Sequence, residues 1–455
     1  MSIINNETWD QFCDYIPQVL EENNMPGTAV GILHNGDRKM AGFGVTNVQH
    51  PLVVTDDTLF QIGSITKTFT GTAMMRLVES GQVDLDVPIT TYIPDFAVQD
   101  ETAAMEATIR HLFTHLSGWV GDYFDDTSGG DDALVKYVTN MAELPQLAPL
   151  GKVWSYNNAG FSVAGRIIEV ITKKPFHTAM QELVLTPLGL ERAYLDPTDA
   201  MPHRFVAGHT DGDNGPEIAL PWPLSRCTQP MGGIITDIQS LLTYAQLHLD
   251  NGRASNGEII LKSETIKAMQ TPQASVWSNL DWGLTWAIDT TGGIRQIWHS
   301  GGTVGQISLL VLVPERNFAF GILTNAYSGR QVTNELRRWI LHHFLGVKMA
   351  NPEPLTVSEA ELATYEGTYK RPFATIDIGL LGGRLIAQIT TNGGFPTKDT
   401  PPRPSPPPMT VAMTGKDQLS VIDGPLKGNR LEVVRDDAEN IGWIRFGSRI
   451  HRKQA

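Results

Sequence analysis

Ser64 and Lys67 lie three residues apart at the start of a helix-forming run, Ile65 to Glu79, which follows a strand-like stretch, Thr58 to Ile62. On a helix that spacing puts both side chains on one face, one turn apart. A serine hydroxyl becomes a nucleophile when a base takes its proton. A lysine amine is such a base once burial or a nearby cation lowers its pKa. The helix N-terminus adds backbone N–H groups that favour developing negative charge. The same residues also read as an N-cap and a solvated lysine, so the pair gains meaning only with partners.

Two later stretches supply candidates. Tyr156-Asn157-Asn158 sits in a polar, Gly-bounded segment, Gly151 to Gly160. It reads either as a core tyrosine with capping amides, or as a phenol that relays a proton beside an amide, Asn158, that holds a substrate carbonyl. The strand-like run Arg295 to His299 continues into His299-Ser300-Gly301-Gly302. His111 and His115 are four apart, as on a zinc-binding helix, but the glutamate that should follow the first histidine and a third ligand are missing. Packing and helix-end hydrogen bonds are therefore expected of them, with no metal and no cofactor. Gly121 to Asp132 is acidic and Gly-rich, and is expected to be a solvated loop; the sharper alternative is a lid whose Tyr123 and Phe124 line the mouth of a site.

The elements that must position these residues follow from periodicity. Trp9, Phe12, Ile16 and Leu20 mark a helix over residues 8–24, with a kink or break expected at Pro17. Asn35-Gly36 between apolar runs predicts a hairpin. Helices are expected at 161–172, 176–185, 238–249 (opened by Asp237) and 331–345, and strands at 282–286, 295–299, 307–313 and 318–324. Strands at both ends with helices between imply an α+β sandwich, a mostly antiparallel sheet closed by both ends of residues 1–348, plus a helical region. Residues 349–357 read as a linker. Residues 358–455 are β-rich and are expected to form a small antiparallel barrel or sandwich, with seven prolines in an extended loop, Phe395 to Met409.

Composition narrows the classes. The 455 residues are 41% hydrophobic and 18% charged, a globular balance, and the net charge of −14 argues against nucleic acid or an anionic membrane as partner. No apolar run is long enough to span a bilayer. The first residues lack a secretory signal, so a cytoplasmic protein is expected of a complete chain. Cys13 and Cys227 read as free thiols.

Taken in order, Ser64-x-x-Lys67, Tyr156-x-Asn158 and His299-Ser300-Gly301 resemble the serine penicillin-recognising superfamily, in the branch of class C β-lactamases, low-molecular-weight penicillin-binding proteins, D-aminopeptidases and family VIII esterases. Leu112-Phe113-Thr114-His115-Leu116-Ser117-Gly118 and Pro230-Met231-Gly232-Gly233 fit the same resemblance, which covers about residues 10–348. It implies a β-lactamase/transpeptidase-like domain and a lipocalin-like C-terminal barrel. It also implies a serine hydrolase acting through a Ser64 acyl-enzyme on the amide or ester bond of a small-molecule or peptide substrate. Ser64, Lys67, Tyr156 and His299 would be catalytic. Asn158, Ser300, Gly301 and Gly302 would bind substrate, with the N–H groups of Ser64 and Gly302 forming an oxyanion hole. Class C β-lactamases carry Lys-Thr-Gly where this chain has His299-Ser300-Gly301. That departure looks like the D-residue peptidases and esterases, and implies peptide or ester substrates over β-lactams, with His299 moving protons near neutral pH. An acyl transferase or peptide macrocyclase, and a catalytically dead sensor, are the alternatives.

Overall fold

The computed structural model describes residues 3–350, 352–402 and 404–454. The chain divides into two compact units: Met1–Val87 with Thr127–Val138 and Phe161–Met349, and Pro88–Asp126 with Thr139–Gly160 and Ala350–Ala455. The last boundary between them falls between Met349 and Ala350. Residues 88–126 and 139–160, however, group with the C-terminal segment and not with the rest of residues 1–348.

The first unit is built on one eight-stranded antiparallel sheet. In chain order its strands are β1 (Gly27–His34), β2 (Asp37–Gly44), β3 (Ala274–Trp277), β4 (Leu280–Trp282), β5 (Ala287–Thr291), β6 (Ile294–Gly302), β7 (Ile307–Val313) and β8 (Phe318–Thr324). Their spatial order is β2-β1-β8-β7-β6-β5-β4-β3. Strand β1 pairs with β8 from Thr28↔Thr324 to His34↔Phe318, so the first and last strands close the sheet as expected. The β1–β2 turn needs positive φ at Asn35 (+52°) and Gly36 (+87°), which is the chemistry that Asn-Gly supplies.

Every residue of β1, β7 and β8 is buried, because both faces of these strands are covered. On one face lie α1 (Asn6–Glu22) and the helix Gly329–Leu345. Phe12, Ile16 and Val19 join Leu336, Ile340 and Phe344 over Val30, Ile32, Val311 and Phe320. On the other lies the helix Ile238–Leu249, capped by Asp237 Oδ1, which accepts from Ser240 N at 2.7 Å. A methyl on Gly31 would come within 2.8 Å of both Ile238 and Leu242, so this helix packs directly on sheet backbone. Helix α1 is not broken at Pro17. Its buried face outweighs the one backbone bond that the proline removes.

In the second unit, eight strands from Gly367–Arg371 to Arg449–Lys453 close into an antiparallel barrel. Closure is by Tyr369↔Lys453 and Lys370↔Arg452. Tyr369, Ile376, Leu385, Met409, Leu419 and Ile444 fill its interior. The Pro-rich stretch leads from the strand Arg384–Thr391 to Met409–Gly415. No helix among the described residues is long and apolar enough to cross a membrane.

Candidate active site

Ser64 is carried by a short 3-10 turn, Gly63–Ile65, which leads directly into α2, Thr66–Glu79. The expected strand before it is reduced to Phe60–Gln61, and the α-helix begins one residue later than expected. The i, i+3 relation survives this change: Lys67 Nζ lies 3.0 Å from Ser64 Oγ. Lys67 is fully buried. Its Nζ also donates to the Met231 carbonyl at 2.7 Å and stands 5.3 Å from the centre of the Phe161 ring. Threonines fix α2 against the Pro230–Ile234 segment. Thr66 Oγ accepts from Ile234 N at 3.1 Å, and Thr70 Oγ donates to the Pro230 carbonyl at 2.7 Å.

Strand β6 lies against the same turn. Ser308, paired with Gly301 across β7 and β6, donates its hydroxyl to the Ile62 carbonyl at 2.7 Å. A methyl on Gly301 would fall 1.9 Å from that carbonyl. Gly63 has φ +51°, and a methyl there would fall 2.6 Å from the Gly302 nitrogen. Both glycines are therefore required by close backbone approach. The result is that the Gly302 amide stands beside the turn that carries Ser64. Beyond Trp298, its last pairing with β5, β6 has only β7 as a strand neighbour among the described strands. Ser300 and Gly302 are exposed there, while His299 and Gly301 are buried.

His299 departs from expectation. It is 3% exposed, its Nδ1 donates to the Ser300 carbonyl at 2.6 Å, and the Trp282 ring meets it edge-on at 5.6 Å. Burial, reinforced by the positive charge of Lys67, pushes its pKa down to about 3, against a weaker upward pull from the Ser300 carbonyl. Burial thus favours the neutral imidazole in the neutral range, because the charged form is desolvated.

Tyr156 and Asn158 belong to the second unit and are held from several directions there. His115, in a left-handed conformation (φ +58°), accepts the Asn157 N–H on Nδ1 at 3.0 Å, and its carbonyl accepts the Ser155 N–H at 3.0 Å. Asn157 Nδ2 donates to Ser117 Oγ and to the Trp119 carbonyl. Tyr156 N donates to the Ser448 carbonyl of the barrel at 2.8 Å. Asn158 N donates to the Gly121 carbonyl at 3.0 Å, and Asn158 Nδ2 to Asp122 Oδ1 at 2.8 Å.

Asp122 is buried, which corrects the expectation of a solvated loop for the first part of Gly121 to Asp132; Asp126 and residues 129–132 are exposed. Arg371 Nη1 donates to Asp122 Oδ2 at 2.9 Å, and Arg449 donates to both carboxylate oxygens at 2.9 and 3.0 Å. Burial by itself would raise this carboxyl's pKa. The two guanidinium groups, with the hydrogen bonds from Arg449 and Asn158, reverse that and hold it well below the usual carboxylate range. Asp125 is buried too, paired with Lys398 at 2.8 Å, and Phe124 meets Phe395 of the Pro-rich stretch edge-on at 5.0 Å. His111 closes a capping box with Thr108. Of the two spaced histidines, then, one caps a helix and the other fixes the Tyr156 loop.

Arg371 and Arg449 were not singled out by sequence. His115, Met231 and Asp122 lie in stretches that the sequence did mark, the first as one of two spaced histidines and the last as an acid in a Gly-rich loop, but without these contacts.

The Beta-lactamase family model matches residues 12–343. Penicillin-binding protein 4 of Amycolatopsis lactamdurans is 33% identical over 365 residues, covering 77% of this chain and 94% of that protein. Unguisins hydrolase ungD of Aspergillus violaceofuscus is 24% identical over 421 residues, covering 86% and 71%. The crystal structure of SurE superposes with a TM-score of 0.76 at 23% identity, over 98% of this chain and 99% of that one, a likeness of fold that includes the barrel. The chain belongs to the β-lactamase family.

Proposed function

We propose that the protein is a serine hydrolase that works through an acyl-enzyme on Ser64. The observation that carries this reading is the 3.0 Å contact between Ser64 Oγ and the fully buried Lys67 amine, beside the Gly302 amide. Neutral Lys67 takes the Ser64 proton as Oγ attacks a substrate carbonyl. The oxyanion that forms is held by the N–H groups of Ser64 and Gly302, such donors being worth on the order of 100- to 1000-fold each. Tyr156 is the second proton carrier and delivers the proton to the leaving group. Water then attacks the ester, the proton returns along the same groups, and Ser64 is regenerated.

The proposed substrates are amides and esters. An extended acyl chain would align with residues 299–302 of β6, where the strand lacks a neighbour on one side. Asn158 uses one amide N–H on Asp122, and its second N–H and its oxygen would hold the substrate amide. A neutral His299 offers a substrate carboxylate no charge, which favours peptide and ester substrates over carboxylate-bearing β-lactams. The name of the bacterial relative makes penicillin the natural second probe.

The test is steady-state hydrolysis of a p-nitrophenyl ester and of a penicillin by the full chain and by Ser64→Ala. Ester turnover that disappears in Ser64→Ala is the expected result. Equal turnover in both proteins overturns the reading. Consumption of the ester with the acyl group appearing on an added amine would identify the acceptor as other than water.

A further inference from the structure

Three barrel residues, Arg371, Ser448 and Arg449, lie against the loops that carry Tyr156 and Asn158, and nothing in the acyl-enzyme chemistry above requires a barrel. We propose that the C-terminal barrel is the positioning element for this tyrosine group: Arg449 and Arg371 clamp Asp122, and Asp122 together with the Ser448 carbonyl fixes Asn158 and Tyr156. The inference rests on the reading of Tyr156 as a proton carrier.

The geometry supports it at three points. Tyr156 N donates to the Ser448 carbonyl, in the turn between the last two barrel strands, so the tyrosine backbone is tied to the barrel. The Arg449 guanidinium stands 4.7 Å from the Tyr156 ring centre, over its face. Asp122 receives three bonds from Arg371 and Arg449 and one from Asn158, so a single buried carboxylate couples the barrel cations to the Asn158 amide. Neighbouring contacts run the same way. Arg445 Nε donates to the Trp154 carbonyl at 3.0 Å, Trp443 Nε1 to the Leu147 carbonyl at 2.9 Å, and Ile450 N to Ser155 Oγ at 3.2 Å. Val153 and Ala148 pack on Ile450.

Arg449 has a second consequence through its charge. Burial opposes that charge, but Asp122 and the Tyr156 phenol more than offset it, and the guanidinium stays above its ordinary pKa. The interaction is mutual: a cation fixed over the ring favours the phenolate that a proton carrier must become. The other titratable groups facing this cluster are His115, 4.4 Å from the Tyr156 ring, and His451, whose Nε2 is 3.2 Å from Arg371 Nε. His451 is pushed down to about 3, chiefly by burial and then by Arg371, so it is not the group that titrates near neutrality.

The test compares Arg449→Lys, Arg449→Met and Asp122→Asn with the parent protein. Pre-steady-state acylation by the p-nitrophenyl ester is followed across pH, with Tyr156→Phe identifying the limb that belongs to the phenol. Arg449→Met is expected to slow acylation by about tenfold to a hundredfold, part of what a proton carrier contributes. KM should stay within about threefold, and the Tyr156 limb should move up by about one pH unit. Arg449→Lys, which keeps the charge, should return the limb towards its original position. A rise in KM with an unchanged limb would make Arg449 a substrate contact and overturn the inference, as would a uniform loss of stability with an unmoved limb. Should Arg449→Met not fold, Arg449→Gln removes the same charge with a polar side chain in its place and supplies the same comparison. An NMR titration of the Tyr156 ring carbon, assigned with Tyr156→Phe, separates the two readings. A phenol that titrates identically with and without the Arg449 charge overturns this inference, whereas an acylation defect shared by every substrate in the parent protein strikes the Ser64 reading and leaves the titration standing.

Discussion

Ser64 and Lys67 meet because they are three residues apart on one turn of backbone, whereas Asn158 is held by a carboxylate whose cations, one of them over the Tyr156 ring, stand 249 and 327 positions away in sequence. The serine group is assembled from local geometry and bare backbone approach. Gly63 and Gly301 let β6 touch the turn, and no charged pair is needed to hold them. The tyrosine group is assembled from long-range charge, with one buried carboxylate shared by two guanidinium groups and an amide. The first arrangement should fail on a single methyl group at Gly63 or Gly301. The second should fail when a charge is removed.

The largest expected effect is at the nucleophile and its base. Ser64→Ala and Lys67→Ala should each lower kcat/KM by a factor on the order of 10⁶, and combining them should add little, because residues that act as a unit are not additive. Gly301→Ala comes next. Its methyl must displace the Ile62 carbonyl or β6, moving the Gly302 amide from the Ser64 turn, and a loss of about 100- to 1000-fold in acylation rate is expected. Acylation at normal speed would show that Gly302 is not an oxyanion donor. In the tyrosine group, Asp122→Ala leaves two partly buried guanidinium groups without their carboxylate. It should destabilise the protein by about 3–5 kcal/mol in denaturant titrations, with a smaller loss of activity than at Ser64.

The pH dependence sharpens the contrast. The Asp122 carboxyl titrates lower in the folded protein than its ordinary 3.8, so its contribution is complete above about pH 4 and is lost as pH falls towards the folded value. Burial first of all pushes His248, His299 and His451 down to about 3 from 6.5. Each binds a proton more readily when unfolded, so their joint contribution is complete above about pH 6.5 and declines as pH falls to about 3. The unfolding midpoint should therefore start to fall below pH 6.5, before the Asp122 clamp weakens. The smallest effect is predicted at His299 itself. His299→Gln should leave the shape of the kinetic pH profile between about pH 5 and 8 unchanged, and the disappearance of a limb in that range would contradict the neutral, buried assignment.

This contrast also explains what the sequence revealed. Periodicity and turn chemistry located Asn35-Gly36, the Asp237 cap, strands β1, β2, β6, β7 and β8 and the β-rich C-terminal segment, because these depend on neighbours in the chain; the strand expected at 282–286 is instead the connection between β4, which ends at Trp282, and β5, which starts at Ala287. The serine–lysine pair was legible for the same reason, since three residues on a helix share a face whether the first turn is α or 3-10. Asp122 was not legible: an acid in a Gly-rich loop reads as solvated until its two arginines are known, and Arg371 and Arg449 carry no local pattern. His299 was visible as a departure from Lys-Thr-Gly, but its burial under Trp282 is a tertiary fact, and with it the loss of its charge. Pro17 failed as a breaker because Phe12, Ile16 and Val19 bury on the sheet and outweigh one missing bond.

The most direct measurement is the intact mass of the full chain after brief incubation with a p-nitrophenyl ester and, separately, with a penicillin, followed by peptide mapping. The account predicts one acyl group per chain, located on Ser64 and absent from Ser64→Ala. An adduct on any other residue, or ester hydrolysis that persists in Ser64→Ala, would contradict it.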